Sequence, residues 1–162
     1  MGTIVVSYVD KPEGRAALAR AARESELRRS SMIVVDNREH AVNSPHPSEP
    51  DEELIRCSER LQAEGLRCEV RHLEPDQEVA DGINDLAEAL DAEMIVIGLR
   101  RRSPVGKLML GHHAQRILLD ASCPVLTVKA PDGEPGRSRS SEHQTGRETG
   151  KAGVIGEMED DR

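Results

Sequence analysis

The sequence predicts an α/β protein with an open, mainly parallel five-stranded sheet and helices on both faces. Three observations predict it. Short apolar runs recur along the chain, helical patterns separate them, and the most apolar run, Met94-Ile95-Val96-Ile97-Gly98, ends in a glycine. Continuous apolar runs suit strands buried on both faces, and strand–helix alternation implies right-handed crossovers.

Each element has its own signal. Residues 3–9 form the first apolar run. Pro12-Glu13 then opens a helix expected to reach about Arg29, because proline suits the first turn and acidic side chains favour the positive end of the helix dipole. Residues 32–36 give a short β-branched strand. Residues 37–50 contain Pro45, Pro47 and Pro50 among Asn and Ser, a loop signature. Asp51 starts a second helix with Leu54, Ser58 and Leu61 on one face, ending near Gly65, since glycine favours the position past a helix end. Residues 67–73 alternate, with Cys68, Val70 and His72 on one side, as in a half-exposed edge strand. Pro75-Asp76 begins a third helix whose stripe is Val79, Ile83, Leu86 and Leu90. Residues 94–98 are expected near the sheet centre. Residues 111–121 form a fourth helix with Ile117, Leu118 and Ala121 inward, and 124–128 the last strand, led by a tolerated proline.

Composition bounds the rest. The chain has 162 residues and a formal charge of −8, so one domain is expected, and long-range attraction to nucleic acid or anionic membrane is not. Tyr8 is the sole Phe, Tyr or Trp, which leaves no aromatic platform for stacking bases. The folded domain is expected over residues 1–130. Residues 131–162 are a polar tail with too little apolar surface to offset ordering entropy, and disorder is expected there. The odd set Cys57, Cys68 and Cys123 has no paired spacing and reads as structural. The start lacks a signal-peptide pattern and no apolar run nears the roughly 20 residues of a membrane span, so a cytoplasmic location is expected.

The segment from Gly98 to His113 carries the chemistry. It leaves a buried strand at Gly98, passes Arg100-Arg101-Arg102 and Lys107, and begins a helix at Gly111. A glycine at a strand exit permits close backbone approach, and a helix start offers unpaired N–H groups and a positive dipole to an anion. This is an anion-binding turn by chemistry; turn glycines with solvated arginines would read the same way. In a parallel sheet, ligands sit beyond the carboxyl ends of strands where strand order reverses, here the loops after the first and fourth strands.

Residues 94–128, with Gly98 and Gly111 thirteen apart and the run Cys123-Pro124-Val125-Leu126, resemble the universal stress protein family; so does the start, Thr3 through Leu18. The resemblance implies ATP or another adenine nucleotide, with Mg²⁺ accompanying ATP, and a stress-response role exerted through ligand-dependent contact with an unidentified protein partner. It implies contacts from Val9 or Asp10, Asp36, Asn37, Gly98, Arg100, Arg101, Gly111, His112 and His113, and a homodimer formed through the last strand. It implies binding rather than catalysis, with hydrolysis slow and incidental. The chain departs from the family pattern at three places. Arg101 stands at the second glycine, His112 at the Ser/Thr after the last glycine, and Val9 at the adenine-contacting aspartate, leaving Asp10 one residue late. Arg101 either compensates with charge-assisted bonds or fills the space that glycine kept open. A member that has lost nucleotide binding and serves as a dimeric interaction module is the alternative.

Other candidates are weak. The adjacent histidines 112 and 113 point about 100° apart on a helix, without a partner ligand at metal spacing. His40 and His46 fall in the proline-rich loop, and His72 in an edge strand. No nucleophile elbow, Walker lysine or nucleophile–base pair is present, so hydrolytic catalysis is not expected.

Overall fold

A computed structural model describes residues 1–37, 52–74, 76–100 and 110–130. Arg101, His40, His46, most of the proline-rich loop and the tail from residue 131 lie outside the described residues.

Among the described residues, nine elements follow in strict alternation: β1 (Thr3–Tyr8), α1 (Pro12–Arg28), β2 (Ser31–Asp36), α2 (Glu52–Ala63), β3 (Cys68–His72), α3 (Val79–Ala89), β4 (Met94–Leu99), α4 (His112–Asp120) and β5 (Val125–Lys129). All strand pairs are parallel, in the order β3-β2-β1-β4-β5. The α/β class and five-stranded parallel sheet expected from the sequence are therefore observed, with β3 on one edge and β4 beside the central β1.

Strand periodicity divides the core into two layers. Ile4, Val6, Met32, Val34 and Val96 pack towards α1 and α2, while Val5, Ile33, Val35, Ile95 and Ile97 pack towards α3 and α4. Helix α1 comes close to the sheet because its inner face is small, with Ala17 and Ala21 fully buried. A Cβ on Gly14 would run into the Val9 carbonyl, and one on Gly98 into the Glu13 carbonyl. The two glycines thus let the first turn of α1 lie against the ends of β1 and β4.

Three expectations need correction. Helix α3 begins at Val79 instead of Pro75, because the Glu78 carboxylate caps it, accepting the Asp81 N–H at 3.0 Å. Its buried face is Ala80, Ile83 and Ala87, with Val79, Leu86 and Leu90 only flanking it, since small residues permit closer approach. In α4 only Ile117 is buried; Leu118 is exposed, because no described element covers that side of the helix. Strand β5 runs one residue later than expected. Pro124 has no N–H to give, but its carbonyl accepts the Ile95 N–H at 2.9 Å just ahead of the strand.

Candidate functional site

Strand order reverses between β1 and β4, which places a crevice at their carboxyl ends. Among the described residues, four segments lie at this end of the sheet: residues 9–14 after β1, Asp36-Asn37 after β2, Leu99-Arg100 at the end of β4, and the start of α4.

Helix α4 offers the clearest binding feature. Its N-cap is Gly111, in extended conformation, and no side chain caps it. The first N–H groups of a helix lack intrahelical partners, so those of His112 and His113 are available to an acceptor, reinforced by the helix dipole. A Cβ on Gly111 would meet no described atom within 4 Å, so the space above this turn is open. Exposed Arg100 supplies positive charge on the β4 side. The arrangement suits a small anion.

The two candidate glycines differ in role. Gly111 stands over open space. Gly98 does not: its missing side chain accommodates α1, so its packing requirement comes from the fold itself.

The candidate side chains are likewise placed in different ways. The Asp10 carboxylate binds Arg15 at 2.5 Å, with both side chains about half exposed. Val9 is partly buried, and its carbonyl accepts the Lys11 N–H at 2.7 Å. The Asp36 side chain is fully buried, with Oδ2 3.6 Å from Nδ1 of His72 on β3. Asn37 donates its N–H to the Tyr8 carbonyl at 2.8 Å and is 8% exposed. His112 is exposed, its ring edge-on to His113. Arg101 lies outside the described residues.

His113 turns its side chain to a different task. Its Nδ1 lies 2.8 Å from Glu78 Oε1, while Arg116 reaches Glu78 at 3.3 Å and Asp81 at 2.6 Å. The cap of α3 is thereby tied to the first turns of α4. Burial pushes the Glu78 carboxyl up, but bonds from the Asp81 N–H and His113 and the charge of Arg116 outweigh it and hold the group below its ordinary value. The sequence reading missed Glu78 and Arg116. The spacing of His113 and Arg116 along one helix face was available, but Glu is not a favoured cap residue and gave no warning.

Elsewhere the chain offers less. Cys68 is buried and its thiol is pushed up to about 11 by burial, with nearby Cys57 adding to the effect; such a thiol is a poor nucleophile at neutral pH. Among the described residues no group of three His, Cys, Asp or Glu is arranged to hold a metal ion, and no helix is long and apolar enough to cross a membrane. An open cleft of about 520 Å³, lined by Ser31, Gln62, Leu66 and Cys68 among others, lies at the amino ends of β2 and β3, away from the strand ends where ligands of such sheets bind.

Comparison with known proteins agrees with this architecture. The model of the universal stress protein family matches residues 1–129. A universal stress protein of Mycolicibacterium smegmatis is 37% identical over 130 residues, covering 78% of this chain and 96% of the relative. The structure of a universal stress protein from Archaeoglobus fulgidus aligns with TM-score 0.60 at 32% identity, over 80% of this chain and 99% of that one. A universal stress protein from the same organism, in complex with dAMP, aligns with TM-score 0.54 at 29% identity, over 80% and 98% of the two chains. On these matches and on its fold, the chain belongs to the universal stress protein family.

Proposed function

We propose that the chain is a regulatory protein that binds an adenine nucleotide across the carboxyl ends of β2, β1 and β4. The observation that carries this reading is the uncapped amino terminus of α4 facing open space at the strand-order reversal. A relative of the same fold binds dAMP, which supports an adenylate as ligand. Phosphate would be held by the N–H groups of His112 and His113, with Arg100 and Arg101 adding charge. When ATP is the ligand, Mg²⁺ would be held chiefly by its phosphates, as is usual for this ion. Binding, not catalysis, is the function; it would alter contact with a protein partner, in a cytoplasmic homodimer joined through β5.

The Asp10–Arg15 pair favours a second reading, a family member that no longer binds nucleotide and acts as a dimeric module. Its carboxylate is engaged at the surface, and Val9 offers no polar group in its place. Two measurements separate these readings: analysis of small molecules released on denaturing the purified protein, and thermal unfolding with AMP and with Mg-ATP. Ligand at about 100 times its dissociation constant stabilises by about 2.7 kcal/mol, which moves a small domain by several degrees. An unmoved transition with no released nucleotide rejects the first reading.

A further inference from the structure

We infer that Glu78 is a positioning residue for the anion turn: through the His113 ring it holds the start of α4 where its N–H groups face the crevice. This rests on the nucleotide-binding reading above and extends it to the residue that shapes the site.

Helix α4 is held only lightly by burial. Of its nine residues only Ile117 is buried, with Ala114 partly covered beside it. A helix this short is marginal alone and depends on tertiary contacts. Its amino end has the least support from the chain itself. Gly111 brings no cap, and the Gln115 N–H bonds the Gly111 carbonyl at 3.0 Å, so the N–H groups of residues 112–114 precede the first intrahelical bond.

Side chains fasten that end to α3. Nδ1 of His113 lies 2.8 Å from Glu78 Oε1, and Arg116 reaches Oε2 of the same carboxylate at 3.3 Å and Asp81 at 2.6 Å. Glu78 is itself fixed, since Oε2 accepts the Asp81 N–H at 3.0 Å as the cap of α3. One carboxylate thus starts α3 and grips two side chains of α4. The fastening does not continue along the helices. Asn84, three residues beyond Asp81 and on the same side of α3, has both amide atoms buried with no partner among the described residues. His113 therefore serves two elements: its backbone N–H belongs to the anion turn, and its ring is tied to α3.

The charge on Glu78 gives the expected effect a telling sign. A carboxylate near an anion site repels the anion, so by Coulomb's law its removal would strengthen binding. A group that holds the helix start in place has the opposite effect when its reach is lost, because binding depends on donors set in position beforehand. Charge and reach can be varied separately. Aspartate keeps the charge and is a favoured cap residue, but it is one methylene too short for His113. Glutamine keeps the reach: its oxygen accepts the Asp81 N–H while its nitrogen donates to Nδ1 of a neutral imidazole.

The test measures AMP binding by calorimetry to wild-type, Glu78→Asp, Glu78→Ala and Glu78→Gln chains, alongside thermal unfolding without ligand. Glu78→Asp and Glu78→Ala are each expected to weaken AMP binding about tenfold, the worth of one hydrogen bond to a charged group. Glu78→Gln is expected to bind AMP as tightly as wild type or more so. Glu78→Asp keeps α3 capped, and so covers the case in which the alanine variant fails to fold. AMP affinity unchanged or raised in Glu78→Asp overturns the inference and leaves the site reading standing. Glu78→Gln as weak as Glu78→Asp does the same, since reach would then count for nothing. A wild-type chain that does not bind AMP overturns both.

Discussion

Gly98 and Gly111 mark the two ends of one sequence motif, yet they answer to different constraints. A Cβ at 98 would be driven into the Glu13 backbone, which cannot move without lifting the first turn of α1 from the sheet. Gly98→Ala is accordingly expected to cost about 1–3 kcal/mol, the range for overpacking a dense interior. Gly111 has φ −64°, open to any residue, and free space above it. Gly111→Ser would supply the missing cap and is expected to be neutral or to stabilise by a few tenths of a kcal/mol. Urea midpoints of the two variants check both figures; equal losses would show that the glycines share one role. Sequence spacing alone does not distinguish a glycine kept for a ligand from one kept for a helix. The distinction lies in what surrounds each Cα, which only the packed structure supplies.

At the level of elements, α3 and α4 are coupled through Glu78, His113, Arg116 and Asp81. The Glu78 carboxyl is held below its ordinary value in the folded chain. Its charged form therefore adds stability above the unfolded-state value of about 4.3, and this is lost as pH falls through the lower folded value. Glu78→Gln should flatten the acid limb of stability against pH by lowering stability modestly at neutral pH, as expected for partly exposed ion pairs, while leaving it little changed near pH 3, where wild-type Glu78 is itself protonated. Denaturant midpoints between pH 3 and 7 measure this; an acid limb equal to that of wild type would contradict it. The elements themselves were legible because apolar periodicity and proline–acid helix starts are local signals. The buried face of α3 was not, since alanine and glycine pack closely without registering as hydrophobic. Leu118 misled for the opposite reason: it is apolar, but its surroundings do not cover it. The site was legible where it depends on chain geometry, the helix start after β4. It was not legible where it depends on partners, as with Asp10, taken by Arg15, and His113, taken by Glu78.

For the whole molecule, the sheet leaves β5 at an edge, with its residues only partly covered. The Ile95 N–H bonds the Pro124 carbonyl, and regular parallel alternation then directs the N–H groups of Val125, Thr127 and Lys129 away from β4. An open edge of this kind invites pairing with another strand. If a second copy provides it, Thr127→Pro removes an outward donor without breaking the ladder to β4, and the dimer should dissociate while circular dichroism stays the same. Sedimentation of both chains decides this, and a wild-type monomer would reject the assembly. Tyr8, the one large aromatic ring in the chain, is 2% exposed at the end of β1, and its carbonyl holds Asn37 in place. With no tryptophan or phenylalanine to overlay it, its ultraviolet emission and near-ultraviolet dichroism come from a single point beside the crevice. The unmodified protein thus carries its own optical reporter at the carboxyl end of β1.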